Sequence, residues 1–551
     1  MGTTGPETQS LSSRIATLVH SHFDGLPKRS KPVVRDDGTA EWVPMTGIVL
    51  VKGENTPSEI LTCITIATGA KCLSARQIPQ CQGLVLHDCH AEILAMRAFN
   101  FWLLSECHSL LAQEGHSAED TNGHRNDSAS PYIQRRQTVI PNTDIKRGAE
   151  PPFEIQPDVR IYMYCTCAPC GDASMELCMA AQDDPTPWAI PVPETEPNDT
   201  PSETNTNLIT TTPLLSGRGD FSKLGIVRRK PARADAESTK SKSCSDKIAL
   251  RQVSSLLNYE TSLLVAPTEN AYIAALILPE EEITRVGCER CFGEDGRMKG
   301  LKGRVWPVGS ATDDGSETVQ GIIESRYRYE FRPFQVLSIP TEQLKSSWPF
   351  RKPRASDPIP ESEADDLSQP EPARMKKSKP SNLSAIWVRA PTVPIPADSE
   401  GAPQTVIIVD TGSKQLPTLR GSKTGLFENI INGVRQGNKL SAPGLRGASV
   451  LSRAKLWSYC KEVLGSIFPP STEGTGPTDG DADGGRGADD PSVLQASTYR
   501  EFKEAAGPTE IIRARRSAIQ SAREVLAGWV PNSGDEDWGL DVLIDTKKRK
   551  R

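Results

Sequence analysis

The sequence predicts an α/β core, and three observations indicate this fold class. Apolar segments typical of strands alternate along the chain with segments typical of helices, which is the pattern of α/β folds. Residues 91–104 are apolar nearly all round, as expected of a buried helix. Residues 499–529 alternate basic and apolar side chains at helical spacing, which predicts a helical C-terminal extension.

Four segments are predicted to be strands because they are short, apolar and rich in β-branched or aromatic residues. In chain order they are 47–52, 60–67, 161–167 and 271–278. A second helix is predicted over 172–180, directly after the third strand. We find no internal repeat.

Four polar or proline-rich ranges are predicted to be disordered insertions, because they hold too little apolar surface to offset chain entropy. They are residues 107–155, 181–216, 353–385 and 468–495. The insertions interrupt one domain predicted over 41–540. An N-terminal segment (1–40) precedes this domain, and a basic tail (541–551) follows it.

Composition excludes several classes of protein. The 551 residues hold 36% hydrophobic residues and no apolar run of about 18, so no membrane span is expected. The N-terminus lacks the basic and apolar regions of a signal peptide. Thirteen cysteines in such a chain favour metal or catalytic roles over a disulfide framework.

Charge is distributed unevenly along the chain. The net charge is −6, which argues against a protein that binds nucleic acid over its whole surface. Residues 218–251, however, contain ten Lys or Arg against four Asp or Glu. A solvated basic face, or one that contacts RNA, is the simplest interpretation of most of these charges.

The first chemical motif is His90-Ala91-Glu92, at the start of the predicted buried helix. A carboxylate under an apolar helix needs a partner or a function, because burying it unpaired costs several kcal/mol. The tripeptide alone is weak evidence, since a helix N-terminal carboxylate beside a hydrogen-bonded histidine is an ordinary alternative.

The second motif is Pro169-Cys170-Gly171-Asp172, on a predicted strand-to-helix turn. The positive end of a helix favours the thiolate that zinc requires, although an ordinary buried cysteine is the alternative. Together the two motifs match the His-x-Glu … Pro-Cys signature of zinc deaminases, in which the Glu is not a ligand. The signature normally closes with a cysteine three residues later, where this chain has Ala173. Four cysteines are candidates for the third ligand: Cys165, Cys167, Cys178 and Cys244.

The ordered set of HAE, PCGD and the distant SCSDK motif around Cys244 resembles the adenosine deaminases that act on RNA. The flanking Thr68–Cys72 and Asp88–Ile93 stretches agree with this resemblance. It implies a cytidine-deaminase-like mixed sheet with helices on its faces, Zn²⁺ bound by His90, Cys170 and Cys244, and Glu92 as general acid/base. The Arg218–Asp235 stretch, with no double-stranded-RNA-binding module recognisable, is similar to the tRNA-specific branch. That branch converts the adenosine 3′ of the anticodon of alanine tRNA to inosine.

The resemblance also implies inositol hexakisphosphate buried in the core. Lys71, Arg97 and Lys247 match its ligands by motif position. Arg251 matches with a shift of one position, because the family's Arg-Trp pair is missing here. Four tail residues match less closely: Lys503, Arg513, Trp529 and Asp537.

Three other functions remain open from the sequence. They are editing of duplex RNA, deamination of free nucleosides, and a catalytically inactive RNA-binding scaffold. Glu92 argues against the scaffold, and chain length together with the basic stretch argues against a nucleoside enzyme. The pair Cys288/Cys291 is a lone CxxC, for which plain thiols are favoured over structural zinc. The basic run 547–551 resembles a nuclear-import signal, so we expect the nucleus, the cytoplasm or both. The sequence gives no oligomeric state.

Overall fold

The computed structural model describes residues 9–33, 40–117, 130–136, 151–181, 215–216, 223–230, 237–307, 327–354, 378–391, 419–467, 492–505 and 510–544. The α-helices are α1 (Leu11–Asp24), α2 (Ala91–Ser117), α3 (Met175–Ala180), α4 (Cys244–Ser254), α5 (Tyr259–Ser262), α6 (Arg285–Phe292), α7 (Thr341–Ser347), α8 (Arg453–Ile467), α9 (Ser492–Gln495), α10 (Tyr499–Glu504) and α11 (Glu510–Val525). Within these residues no helix has the length and apolar character needed to cross a membrane.

The strands are β1 (Ala40–Trp42), β2 (Met45–Lys52), β3 (Ile60–Thr68), β4 (Ala70–Cys72), β5 (Asp88–His90), β6 (Ile133–Arg135), β7 (Phe153–Ile155), β8 (Val159–Cys165), β9 (Leu215–Ser216), β10 (Arg228–Arg229), β11 (Ile273–Pro279), β12 (Val305–Pro307), β13 (Arg328–Glu330), β14 (Gln335–Ile339), β15 (Ser378–Pro380), β16 (Leu383–Val388), β17 (Arg420–Gly421), β18 (Leu426–Ile431) and β19 (Val434–Arg435).

A nine-stranded mixed sheet forms the centre of the fold. Its order is β14-β11-β8-β2-β3-β16-β18-β17, with β19 paired to β18. Strand β11 runs parallel to β8 and β14, and the remaining pairs in this sheet are antiparallel. The four predicted strands are the adjacent strands β11, β8, β2 and β3. The predicted mixed sheet with helices on its faces is therefore confirmed.

The sheet separates two hydrophobic cores. Along β2, Ile48 and Leu50 belong to the larger core, which also contains the apolar residues of α2. The alternate residues Val49 and Val51 belong to the smaller core, together with Ile15 and Val19 of α1. This alternation follows from the two-residue period of a strand.

Helix α1 was not predicted from the sequence, although it completes the second face. It begins after Ser10, whose hydroxyl accepts a hydrogen bond from the Ser13 backbone N–H. It packs closely on β2 at Gly47, where a Cβ atom would lie 2.5 Å from a methyl carbon of Val19. The segment 1–40 thus contributes a helix to the core.

The predicted insertions are narrower than expected where the structure describes them. Helix α2 extends to Ser117, and β6 and β7 also lie within 107–155. Strand β15 lies within 353–385, and α9 within 468–495. The rest of the four ranges, apart from short described edges, and the basic run 547–551 lie outside the described residues. The predicted helical extension is confirmed as α10 and α11.

Candidate active site

Three structural junctions bring the predicted zinc ligands together. His90 is the last residue of β5, directly before α2. Cys170 follows β8 on the loop that leads to α3, and Cys244 is the first residue of α4. The Nδ1 atom of His90 lies 3.7 Å from Cys170 Sγ and 3.5 Å from Cys244 Sγ.

These separations fit a tetrahedral zinc ion. With Zn–N of about 2.0 Å and Zn–S of about 2.3 Å, a tetrahedral site separates nitrogen from sulfur by about 3.5 Å. The three ligand atoms lie within 4.8 Å of one another. A second group of candidate ligands, Cys72, Asp88 and His90, shares the histidine. One imidazole and two sulfur ligands leave the fourth position that a catalytic zinc needs for water.

The two cysteines are bound to each other by hydrogen bonds. The backbone N–H of Cys244 donates to Cys170 Sγ over 3.4 Å. A hydrogen bond from the Cys244 side chain lowers the pKa of Cys170 well below its ordinary value, and Lys230 lowers it further. Burial and Cys170 raise the pKa of Cys244 well above its ordinary value, so the pair readily loses one proton, from Cys170. Loss of that proton favours metal binding, because zinc takes the thiolate.

Glu92 lies in the first turn of α2 and is only 3% exposed. Burial raises the pKa of its carboxyl group, His90 opposes this rise, and Cys170 adds to it. A carboxyl group whose pKa is raised towards the working pH can both accept and donate a proton, as a general acid/base must.

A buried polar network lies beside the metal ligands and was not predicted. The ammonium group of Lys230 donates to Asp88 over 2.9 Å and to Cys244 Sγ over 3.3 Å. Lys247 and Ser241 also donate to Asp88. Burial alone would raise the pKa of Asp88, but Lys230 and Lys247 hold it well below its usual range. Lys230 lies in the basic stretch noted in the sequence, but nothing local marks it as a partner of Asp88.

Three of the predicted polyanion ligands belong to one group of cations. We name Arg97, Arg251, Lys503 and Arg515 the basic cluster. The carboxylate of Glu260 influences the pKa of the first three electrostatically. Burial and the neighbouring cations Arg515 and Arg97 lower the pKa of Arg251 to about 9. Burial likewise lowers the pKa of Lys503 to about 7, against the effect of Glu260.

The basic cluster carries more positive charge than Glu260 can balance. Arg97 donates to the carbonyl oxygen of Leu451, and Arg515 donates to that of Leu257. The Nε atom of Arg515 is buried and has no hydrogen-bond partner among the residues that the structure describes. A buried polar atom without a partner and cations with lowered pKa values fit a site for a buried anion.

Two of the predicted polyanion ligands, Arg513 and Asp537, lie on the surface and are not part of the basic cluster. Arg513 is exposed on α11 and pairs with Glu510 at 2.9 Å. Arg515, two residues along the same helix, faces the interior instead. Asp537 is also exposed and pairs with Arg500 at 2.6 Å.

The buried carboxylate of the tail is Asp535 and not Asp537. It accepts a hydrogen bond from the Gly83 backbone N–H over 2.9 Å and lies 2.8 Å from His87 Nε2. The carboxylate oxygen that lies near His87 is also 3.5 Å from Arg453 Nη1. Asp535 therefore joins the C-terminal tail to the loop that leads into β5.

The remaining predicted ligands lie elsewhere. Lys71 is on β4, opposite Cys89 of β5, and Lys247 belongs to the Asp88 network. Trp529 follows α11, and the Lys242 ammonium group lies 5.5 Å from its ring centre.

The other candidate cysteines are not in either group of possible metal ligands in the described residues. These are Cys165, Cys167, Cys178, Cys288 and Cys291. Burial raises the pKa of Cys165 and Cys167 well above the ordinary value, which disfavours the thiolate. Cys288 and Cys291 are buried on α6.

Comparison with known proteins agrees with this geometry. Residues 65–297 match the adenosine-deaminase (editase) domain family. The chain is 36% identical over 288 residues to tRNA-specific adenosine deaminase 1 of Schizosaccharomyces pombe, which covers 52% of this chain and 62% of the relative. It is 30% identical over 257 residues to tRNA-specific adenosine deaminase 1 of Saccharomyces cerevisiae, covering 46% and 56% respectively.

A shorter match relates the chain to the double-stranded RNA-specific editase B2 of Mus musculus. The two are 31% identical over 129 residues, which is 23% of this chain and 14% of the relative. The chain thus spans less than two thirds of the length of these curated relatives. The candidate ligand residues His90, Cys170 and Cys244 all fall within the matched range. The match confirms the resemblance that the three motifs indicate: residues 65–297 are similar to the adenosine-deaminase (editase) domain.

Proposed function

We propose that this chain deaminates adenosine to inosine in tRNA by zinc-dependent hydrolysis. The observation that carries the proposal is the convergence of His90, Cys170 and Cys244, with the buried carboxyl of Glu92 two residues from the histidine. The donor set and its separations suit a catalytic zinc. When bound, zinc supplies an acidified water as the nucleophile.

The chain's own residues manage the protons of this reaction. Glu92 accepts a proton from the attacking water and delivers it to N1 of the adenine ring. It then takes the remaining proton of the hydroxyl group added at C6 and passes it to the amine, so that the C–N bond breaks, ammonia leaves and C6 becomes a carbonyl carbon. The raised pKa of Glu92 supports both transfers, because the group must change protonation state within one turnover.

The two yeast relatives support tRNA as the substrate. Both are named tRNA-specific, and their matches cover about half of this chain, whereas the editase B2 match covers 23%. The adenosine 3′ of the anticodon of alanine tRNA is our specific proposal, on the resemblance of the sequence motifs. An unpaired loop base enters a recessed site at lower unstacking cost than a paired one.

The test compares intact alanine tRNA, its isolated anticodon stem-loop, a long RNA duplex and free adenosine at two salt concentrations, with inosine mapped by sequencing. We expect deamination of the intact tRNA beside the anticodon, weaker activity on the stem-loop and a steep loss with salt. Preference for the duplex would favour duplex editing instead. Equal activity on free adenosine would contradict RNA specificity.

We further propose that inositol hexakisphosphate binds the basic cluster. The support is the excess of buried cations over Glu260 and the unpartnered Nε of Arg515. A nearby polyanion would raise the lowered pKa values of Arg251 and Lys503, because negative charge favours their protonated forms. Arg97, Arg251, Lys503 and Arg515 would hold it.

We also propose that the basic run 547–551 directs part of the protein to the nucleus. The support is its composition alone, since these residues lie outside the described part of the chain. Deletion of 547–551 should shift a fluorescent fusion towards the cytoplasm, and an unchanged distribution would contradict the proposal.

A further inference from the structure

Both candidate thiolate ligands are followed, two residues later, by a fully buried aspartate. Asp172 follows Cys170 and Asp246 follows Cys244, and each aspartate is 0% exposed. A buried carboxylate is strongly destabilising unless a cation and hydrogen-bond donors compensate it. The compensating cations therefore indicate what holds the two cysteine loops.

Each aspartate is paired with one arginine from the segment that starts at α6. Arg290 Nε donates to Asp172 over 3.0 Å, and Arg297 Nη1 donates to Asp246 over 2.6 Å. Each arginine also donates to a backbone carbonyl of the same loop. Arg290 Nη2 lies 2.8 Å from the Asp172 oxygen, and Arg297 Nη2 lies 3.1 Å from the Ser245 oxygen.

The two arginines belong to one compact piece of chain. The backbone N–H of Arg297 donates to the carbonyl of Arg290 over 2.8 Å. The turn is tight at Gly296, where a Cβ atom would lie 2.4 Å from that same carbonyl oxygen. The main chain at the two arginines is thus held together by contacts that do not involve the cysteine loops.

The two cysteine loops come from distant parts of the sequence and also contact each other directly. Ser245 Oγ donates to the carbonyl of Cys170 over 3.0 Å, and the Ser245 N–H donates to the same oxygen over 3.0 Å. The N–H of Ala173 donates to Ser245 Oγ over 3.2 Å, and the N–H of Cys244 donates to Cys170 Sγ over 3.4 Å. In addition, each arginine binds one loop at two points, the aspartate carboxylate and a backbone carbonyl.

We propose that Arg290 and Arg297 are positioning residues that set the separation of the Cys170 and Cys244 sulfur atoms and hence the affinity of the metal site. This inference rests on the proposed zinc-dependent function. Lysine at either position would keep the charge but lose the planar group that bonds carboxylate and carbonyl together.

The test uses the full-length chain with Arg290→Lys, Arg297→Lys and the control Arg285→Lys. Arg285 lies on the same helix and is exposed. Zinc content is measured by elemental analysis, zinc affinity by chelator competition, and site geometry by the absorption spectrum after Co²⁺ substitution. We expect zinc affinity to fall about 10–100-fold in both variants, as for other residues that orient metal ligands, and to stay unchanged in the control.

The outcomes separate this inference from the proposed function. Zinc-loaded wild-type protein with equal zinc affinity in both Lys variants would overturn the inference and leave the function standing. Variants that fail to fold, judged by circular dichroism, would make the arginines parts of the fold and also overturn it. Wild-type protein that binds no zinc would contradict the proposed function and this inference with it.

Discussion

At the scale of single residues, the proposed mechanism separates the groups that would hold a metal from the group that would move protons. His90, Cys170 and Cys244 offer their ligand atoms to a common point. Glu92 lies on the same helix start, but it belongs to neither group of possible ligands. This division allows the two roles to be removed separately by substitution.

Glu92→Gln should abolish proton transfer and leave the metal site intact. Glutamine has the same shape but cannot exchange a proton, so we expect activity on tRNA to fall by at least about 10²–10⁴-fold. Zinc content and thermal stability should match those of the wild type. Turnover at the wild-type rate would refute the assigned role.

Cys244→Ala should lose zinc and destabilise the protein, because the proposed thiolate ligand and its side-chain contacts with Cys170 and Lys230 are removed together. Cys178→Ala is the matched control, since Cys178 is half-buried on α3 and is in neither group of possible metal ligands among the described residues. Elemental analysis of both purified variants decides the assignment. Zinc loss from the control alone would reverse it.

The sequence was sufficient for residues marked by a local motif and insufficient for their distant partners. Local motifs predicted His90 and Cys170, and the family resemblance selected Cys244, as the three residues that the structure brings together. Lys230 was missed because its partner Asp88 lies 142 positions away, and no local pattern reports such a pairing. Arg513 was predicted and Arg515 was missed, because the position of a residue within a motif does not show which side of the helix faces the interior.

At the scale of elements, α1 covers the face of the sheet opposite α2 and brings a buried histidine with it. His20 is 5% exposed, and its Nε2 atom lies 2.9 Å from the Tyr164 hydroxyl. Burial lowers the pKa of His20 to about 4, although a hydrogen bond with the backbone of Ser347 opposes this. Helix α1 was not predicted, although Ile15, Val19 and Phe23 recur at the four-residue spacing of a helix face.

The low pKa of His20 predicts a loss of stability in mild acid. The unfolded chain, with a histidine pKa near 6.5, binds the proton more readily than the folded chain does. The stability contribution is therefore complete above about pH 6.5 and declines as the pH falls towards 4. A shift of this size corresponds to about 3 kcal/mol of unfolding free energy.

The measurement is urea unfolding between pH 4 and 7, for the wild type and for His20→Gln. Glutamine can still hydrogen-bond Tyr164 but does not titrate, so the variant should show a flatter dependence of stability on pH over this range. The same pH dependence in both proteins would exclude His20 as its source.

At the scale of the whole molecule, the basic cluster unites parts of the chain that lie far apart. Arg97 comes from α2, Arg251 from α4, and Lys503 and Arg515 from the C-terminal helices. A polyanion bound among them would therefore link the tail to the core that carries the active site. The helical tail could be predicted from its periodicity, but the cluster that it completes could not.

Arg515→Met should reduce bound polyphosphate and lower the melting temperature, because it removes a buried cation that faces the cluster. Arg513→Met is the matched control on the same helix, exposed and paired with Glu510. Native mass spectrometry and phosphate analysis after acid extraction measure the ligand. Equal phosphate content in both variants would place the polyanion elsewhere or show that none is bound.

The contact of Asp535 with Gly83 and His87 has a consequence for synthesis of the protein on the ribosome. It joins residues 452 positions apart, and it holds the loop that leads into the strand ending at His90. A nascent chain that has exposed only its first 500 residues still lacks this contact, as well as Lys503 and Arg515. The order of translation therefore leaves the loop before His90 without this contact until the end of the tail has emerged, so we expect chains truncated before Asp535 to hold that loop less firmly.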